Sequence, residues 1–304
     1  MRRGEREAPQ ARPGTAMLLC AASIAGLTLL RLGARALALS GAAALAAQAG
    51  GTLLCFLVPA ALGLLAFDDD QTEIVRLRVL TPAQIRLIAL TGALAVCPAT
   101  LLSDVIGALV SAFLPGGAAQ SAQVAAPDGR LFLPLLLQSA LLAPVCEELF
   151  FRGYLLGVFG RGGRGRASAA ALATAILFAL AHGFDLTLPV YALLGALFAL
   201  LTLRADSVLA AMLAHGCYNA ALLALAFAGL SDLFSGLTPL SCAVRLLGTA
   251  AFAGTLRRAV SLRPARKRAR LWDGRGLSRR ELGVLLGALI ALIVSQAVLA
   301  LMSS

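Results

Sequence analysis

Apolar residues occur in long runs along the chain, and short polar loops or Gly/Pro clusters separate one run from the next. A helix needs about 20 apolar residues to cross the hydrocarbon core of a bilayer, which is about 30 Å thick. The pattern therefore predicts an all-α, polytopic membrane helical bundle with about nine (eight to nine) transmembrane helices. The runs lie at residues 16–34, 42–67, 86–113, 131–159, 167–184, 187–203, 207–230, 238–256 and 282–302.

The composition excludes a soluble globular protein. Of the 304 residues, 60% are apolar and 13% are charged, whereas soluble domains contain about 25% charged residues. The net charge of +11 does not indicate nucleic-acid binding, because Lys and Arg accumulate in the cytoplasmic loops of membrane proteins. The six cysteines lie in apolar runs without a CxxC pair, which argues against a disulfide framework or a zinc ribbon. We therefore expect the protein to lie in a lipid bilayer.

The distribution of basic residues predicts the orientation of the bundle. With the N-terminus in the cytoplasm, 21 of the 26 basic residues fall in cytoplasmic segments, and ten of these lie at 257–280. The opposite side receives only Arg31, Arg35 and Arg130. Because basic segments resist translocation, we expect an integral, multi-pass protein with a cytoplasmic N-terminus. The alanine-rich composition with Lys267 as the only lysine favours a bacterial cell membrane.

Ionisable side chains are costly inside a bilayer and therefore mark a function or a specific partner. Both histidines of the chain, His182 and His215, lie in apolar runs, as do Glu147 and Glu148. At 1.5 Å per residue, Glu147, His182 and His215 lie roughly 21, 24 and 16 Å along their helices from arginines on one side. These depths predict one polar cavity near mid-membrane. Asp104 stands alone in the third run, and its role is structural or unknown.

Three short motifs contain these residues, and each motif occupies about one helical turn. Glu148 and Arg152 are spaced i,i+4 with the acid first, which predicts an intrahelical ion pair. Glu147 points about 100° away from Glu148 and has no evident partner on its own helix. The same i,i+4 spacing places Phe178 and His182 on one face of their helix. It also places His215 and Asn219 on one face of theirs.

These motifs resemble those of the CPBP family of intramembrane proteases, which includes type II CAAX prenyl endopeptidases and bacteriocin-processing or immunity relatives. The resemblance covers about residues 131–230 and rests on the order and spacing of the three motifs on separate runs. No HExxH, GxSG or GxGD motif is present, which argues against the zinc site-2, rhomboid and aspartyl types. The family patterns EExxxR, FxxxH and HxxxN match Glu147, Glu148 and Arg152, then Phe178 and His182, then His215 and Asn219.

The resemblance implies hydrolysis of a peptide bond by water that a carboxylate activates. Glu147 is the expected base, whereas Glu148, as the partner in an ion pair, is expected to hold the geometry of the site. His182 would hold the water against Glu147. His215 and Asn219 would bind the substrate carbonyl and stabilise the oxyanion that develops there.

A metal site is an alternative use of the same residues. Two histidines, one glutamate and a water form an established catalytic zinc set, so Glu147, His182 and His215 are candidate ligands for zinc or another divalent metal. We prefer a mechanism without an obligatory metal, because no HExxH motif places two ligands on one helix. A third alternative is a Cys–His nucleophile that uses Cys146 or Cys217.

Two other classes of function remain open at this point. Intramembrane Glu, His and Arg also occur in ion- or proton-coupled transporters, and a non-catalytic immunity or scaffold protein would retain the motifs for stability. For a protease, we expect a peptide or a membrane protein as the substrate, and the sequence indicates no oligomeric state. We expect N-terminal helices at 1–130, a catalytic helical core at 131–230, and C-terminal helices with the basic segment at 231–304.

Overall fold

The structure is a computed structural model that describes residues 13–65, 74–113, 129–160 and 164–262. Helices make up most of the described residues, which confirms the predicted all-α membrane bundle. Within these described ranges, seven helices are long and apolar enough to cross a membrane, and a shorter apolar helix accompanies them. In chain order we name them α1 (Pro13–Ala36), α2 (Gly41–Leu65), α3 (Pro82–Phe113), α4 (Gly129–Phe159), α5 (Arg164–His182), α6 (Leu188–Ala205), α7 (Val208–Phe227) and α8 (Pro239–Ser261).

Local sequence explains where several helices begin and end. At the start of α3, the Thr81 hydroxyl accepts the backbone N–H of Gln84, and the Gln84 side chain accepts the backbone N–H of Thr81. This reciprocal capping box satisfies two amides that the helix cannot pair itself. Thr238 accepts the backbone N–H of Ser241 in the same way at the start of α8. Asp206 ends α6 in a left-handed conformation, with φ of 51°.

Close backbone contacts bring α4 and α3 against α7. Helix α5 packs along α6, and α7 packs against both α3 and α4. Gly92 of α3 lies against the backbone of Ala214, and Gly216 of α7 lies against the carbonyl oxygen of Ala140. A Cβ atom at either glycine would overlap these backbone atoms. Small residues therefore allow the approach that places the faces of α4 and α7 side by side.

Contacts between loops agree with the alternating direction of the helices. At one end of the bundle, the backbone N–H of Val208 donates to the carbonyl of Arg76 at 3.1 Å, and the Arg76 side chain pairs with Asp206 at 3.6 Å. At the other end, Arg31 of α1 donates to the carbonyl of Ala181 at 2.7 Å. Residues predicted on one side of the membrane thus meet at one end. Which end faces the cytoplasm stays a prediction.

Some of the predicted features lie outside the described residues. They include the ninth apolar run at 282–302, the N-terminal residues 1–12, and the basic segment 257–280 beyond residue 262. The division at 1–130, 131–230 and 231–304 also stays a prediction.

Candidate active site

The structure brings together the motif residues of α4, α5 and α7 inside the bundle. Glu148 and Arg152 are fully buried, and Glu147 and His215 are nearly so. His182 is the most accessible of the five, with 19% of its side chain exposed. Such burial of charged and polar groups requires specific partners.

Glu148 has partners on two helices. Its carboxylate lies 2.9 Å from the Arg152 guanidinium, so the ion pair expected from the i,i+4 spacing is present. The Nδ1 atom of His215 lies 2.9 Å from Oε1 of Glu148, a contact between α7 and α4 that the spacing did not predict. Because a carboxylate accepts, Nδ1 of His215 is the donor. Glu148 therefore orients the imidazole of His215.

Arg152 connects α4 to two further helices. Its Nη2 atom donates to the carbonyl of Gly195 on α6 at 2.8 Å. Its guanidinium carbon lies 4.4 Å from the ring centroid of Phe178 on α5, in cation–π geometry. Arg152 thus joins α4, α5 and α6 next to the carboxylate of Glu148.

Glu147 and His182 face each other without a direct hydrogen bond. The Nδ1 atom of His182 lies 2.9 Å from the carbonyl oxygen of Phe178, one turn earlier in α5. Its Nε2 atom lies 3.7 Å from Oε2 of Glu147. Among the described residues, Oε2 of Glu147 has no hydrogen-bond partner. Glu147 is therefore the carboxylate that remains available for chemistry.

Aromatic rings hold both imidazoles in place. Tyr191 of α6 stacks on His182, with ring centroids 4.2 Å apart and planes 25° apart. Phe198, also of α6, stacks on His215 at 4.8 Å and 17°. Phe178 contacts both histidines, with centroid distances of 4.4 Å to His182 and 5.6 Å to His215. Because these contacts restrict the rotation of both imidazoles, they fix the direction in which the Nε2 atoms of His182 and His215 point.

Asn219 lies one turn beyond His215, and its side chain reaches α4. Its Nδ2 atom donates to the carbonyl of Ser139 at 2.7 Å, so one amide proton is used and the second is left. Helix α4 adopts π-helical geometry at Leu137–Leu142, which includes Ser139, and again at Leu149–Leu155, which includes Arg152. Such π-turns occur frequently at functional sites, because they redirect side chains and backbone carbonyls.

Metal ligation by Glu147, His182 and His215 stays a prediction, because the Nδ1 hydrogen bonds of both histidines leave Nε2 as a potential ligand. Nδ1 of His182 is bound to a carbonyl, and Nδ1 of His215 is bound to Glu148. In the part of the chain that the structure describes, no three His, Cys, Asp or Glu side chains are placed to hold one ion. Cys146, the alternative nucleophile, is fully buried.

Two residues outside the three motifs contact the site. Arg31 of α1 donates to the carbonyls of Ala181 and His182, at 2.7 and 3.3 Å, and thereby caps the C-terminal end of α5. Tyr191 covers one face of His182. In the sequence, Arg31 resembles any basic residue at the end of a span, and Tyr191 resembles a core aromatic residue. The sequence around Arg31 and Tyr191 therefore does not indicate which residue either of them contacts.

Asp104 has a buried partner that lies far from it in sequence. Arg245 of α8 donates to Oδ2 of Asp104 at 2.6 Å, and Arg245 is fully buried. Its Nε and Nη2 atoms donate to the carbonyls of Ser241 and Gly236, respectively. The structural role is therefore an ion pair between α3 and α8. In the sequence, the only indication of this pair is that Asp104 and Arg245 are charges of opposite sign within apolar runs.

Residues 129–221 match the family model described as type II CAAX prenyl endopeptidase Rce1-like. No curated protein and no solved structure matches the chain. The matched region extends from the start of α4 into α7 and contains all three motifs, which confirms the resemblance first seen in those motifs. The apolar helices and this match together support an integral, multi-pass membrane protein whose residues 129–221 are similar to the family of CAAX-type intramembrane proteases.

Proposed function

We propose that the protein is an intramembrane endopeptidase in which Glu147 activates the hydrolytic water. The observation that carries the proposal is the facing pair of Glu147 Oε2 and His182 Nε2, 3.7 Å apart. Neither of these atoms has a better hydrogen-bond partner among the described residues. The proposal rests on this geometry together with the protease family of residues 129–221.

The hydrogen bond of His182 to Phe178 determines what its ring presents to Glu147. A carbonyl oxygen only accepts, so Nδ1 of His182 carries a proton. In the neutral ring, Nε2 then presents a lone pair toward the carboxylate. A water about 2.8 Å from each atom can donate one O–H to Nε2 and one to Oε2. This water keeps its own lone pairs for attack on a carbonyl carbon.

The proposed reaction follows from that arrangement. The water oxygen forms a bond to the carbonyl carbon of the substrate while Glu147 takes one water proton. The tetrahedral intermediate then loses its C–N bond, and Glu147 returns the proton to the leaving amine. The products are a new carboxyl terminus and a new amino terminus. His182 holds the water in place throughout.

Asn219 and His215 are the proposed donors to the oxyanion. Asn219 has a second amide proton, and its bond to the Ser139 carbonyl fixes the direction in which that proton points. His215 donates through Nε2 when its ring carries both protons, with Nδ1 bound to Glu148. Preorganised donors of this kind contribute most in a site from which bulk water is excluded. Glu148 and Arg152 act as positioning residues.

The substrate class follows from the surroundings of the site and from the family. The matched model describes endopeptidases that act on prenylated CAAX proteins. For this chain, we propose a peptide or a membrane-anchored protein that reaches the site from the bilayer or its surface. A bacterial cell membrane with the N-terminus in the cytoplasm is the proposed location.

Water activation without an obligatory metal is part of the proposal. Each histidine keeps one ring nitrogen besides its Nδ1 hydrogen bond, and the preference for a metal-free site is supported by the lack of a group of three potential ligands among the described residues. The measurement is the metal content of the purified, active protein, with activity followed after chelation and after metal is added back. We expect activity without stoichiometric metal. Zinc whose removal abolishes cleavage, and whose return restores it, would contradict this part.

Peptide release from membranes tests the proposed function. Membranes that contain the wild-type protein or Glu147→Gln are incubated, and the new peptide termini are mapped by mass spectrometry. Glutamine keeps the shape of the side chain but cannot take the proton, so we expect cleavage to fall at least about 100-fold. Asp232→Asn, which neutralises a carboxylate outside the site, is the matched control and retains cleavage.

The same comparison separates the other two classes of function. Ion- or proton-coupled flux that is lost in Glu147→Gln, without any change in peptide termini, would identify a transporter. A cellular phenotype that survives Glu147→Gln would identify a scaffold or immunity role. Either result would replace the proposed endopeptidase.

A further inference from the structure

A cavity lies next to the proposed catalytic residues, between α3, α6 and α7. Its volume is about 190 Å³, and the short segment Ser231–Phe234 closes one side. Tyr191 forms the boundary with the catalytic residues, because its ring lines the cavity and also stacks on His182. Pockets for drug-sized ligands are about 300–1,000 Å³. This cavity therefore has room for one side chain.

Asp104 supplies the charge of this cavity. Among the described residues that line it, Asp104 is the only charged one. Arg245 engages Oδ2 of Asp104 but does not line the cavity, and its Nε and Nη2 atoms donate to backbone carbonyls. Among the described residues, the contact of Arg245 is with Oδ2, which leaves the other carboxylate oxygen, Oδ1, to accept a second donor. The cavity thus presents the negative end of a buried ion pair.

Tyr218 adds a second polar side chain to the cavity. It is only 8% exposed, it lines the cavity, and it is the residue before Asn219. Its phenolic hydroxyl can donate or accept a hydrogen bond. A polar group that enters the cavity can therefore meet Tyr218 as well as Asp104.

The remaining wall of the cavity combines apolar and hydroxyl side chains. Val190, Leu222 and Phe234 form its apolar part, and the hydroxyl-bearing residues are Thr100, Ser103, Thr187, Ser231 and Ser235. A ligand with an apolar stem and a donor or cationic tip can place the stem on the apolar part and the tip on Asp104. Lysine and arginine side chains have this form, because three or four methylene groups carry their charged end.

We propose that this cavity is a specificity subsite that binds a lysine or arginine side chain of the substrate, near the bond that is cut. The inference rests on the proposed endopeptidase function and adds a substrate preference to it. The methylene groups pack on Val190 and Phe234, and the cation meets Oδ1 of Asp104. Tyr191 separates the subsite from His182, so the bound residue lies close to the scissile bond.

The experiment first maps cleavage sites in membranes that contain the wild-type protein, and then uses synthetic peptides with those sequences. Each peptide is made with lysine or with uncharged norleucine at the position where basic residues are enriched. We expect kcat/KM to be about tenfold or more higher for the lysine peptide, as for a hydrogen bond to a charged group. In Asp104→Asn, the ratio of the two kcat/KM values falls to about one.

Two further variants make the test independent of how well Asp104→Asn folds. Ser103→Leu fills the cavity and leaves the Asp104–Arg245 pair in place, so it also lowers the lysine to norleucine ratio. Ser111→Leu adds the same side chain to an exposed position of α3 outside the cavity, and the ratio stays as in the wild type.

The outcomes separate this inference from the proposed function. Cleavage without enrichment of basic residues, or a ratio unchanged in both Asp104→Asn and Ser103→Leu, overturns the subsite and leaves the endopeptidase standing. Peptide termini that do not differ between wild type and Glu147→Gln overturn both.

Discussion

Replacing Arg152 by alanine removes one partner of a fully buried ion pair, and the cost follows from its contacts. Glu148 and Arg152 lie 2.9 Å apart with no exposed surface on either side chain. Breaking such a pair on one side costs about 3–5 kcal/mol, because a buried charge is left uncompensated. The hydrogen bond to Gly195 and the contact with Phe178 are lost as well. Since domains are stable by about 5–15 kcal/mol, we expect a large loss of folded protein.

The assay is thermal unfolding in detergent, in which the amount of monodisperse protein that remains after heating is measured. A loss of about 4 kcal/mol corresponds to a decrease in Tm of roughly 10 °C for a chain of this size. Arg35→Ala is the control, because Arg35 is an exposed arginine at the end of α1. Its Tm should equal that of the wild type.

A double variant shows whether the unpaired charge is the cause. Glu148→Gln with Arg152→Met removes both charges and keeps similar volumes, so it should regain part of the stability lost in Arg152→Ala. An Arg152→Ala protein that accumulates and melts like the wild type would refute the structural role of the pair. A double variant less stable than Arg152→Ala would show that packing, and not charge, accounts for the loss.

Three further predictions concern other parts of the molecule. Arg31→Ala releases the end of α5, so kcat should fall several-fold with KM little changed, and Arg31→Lys should restore part of it; an unchanged kcat contradicts the capping role. Gly216→Ala inserts a Cβ into a backbone carbonyl and should cost about 1–3 kcal/mol of stability, whereas Gly254→Ala, with open space around it, should be neutral in the same unfolding assay. A reporter after Arg166 should lie in the cytoplasm and one near residue 120 on the opposite side, and reversal of both would overturn the orientation.

Local helix geometry accounts for the part of the site that could be predicted from sequence. The Glu148–Arg152 pair depends only on i,i+4 spacing, and the common depth of the two histidines depends only on the helical rise. Hydropathy likewise predicts the spans, since each apolar run must form a helix to satisfy its backbone in lipid. These properties depend only on residues that are close together in the chain, and they can therefore be predicted from the sequence.

Contacts between helices could not be predicted, because they depend on how the helices rotate and cross. The bond from His215 to Glu148 joins residues 67 positions apart, and the bond from Arg31 to Ala181 joins residues 150 apart. Their geometry depends on close approaches at small residues, such as Gly216 against α4. The sequence shows that glycine is present there, but it does not show which neighbouring helix it meets.

The most direct test of the central claim is cleavage in water enriched in ¹⁸O. Membranes with wild-type protein or Glu147→Gln are incubated in H₂¹⁸O, and new carboxyl termini are examined by mass spectrometry. If Glu147 activates water, each new carboxyl terminus in the wild-type sample carries one ¹⁸O atom, and these termini are absent from the Glu147→Gln sample. New termini that appear equally with Glu147→Gln, or that lack the label in the wild type, would contradict the account.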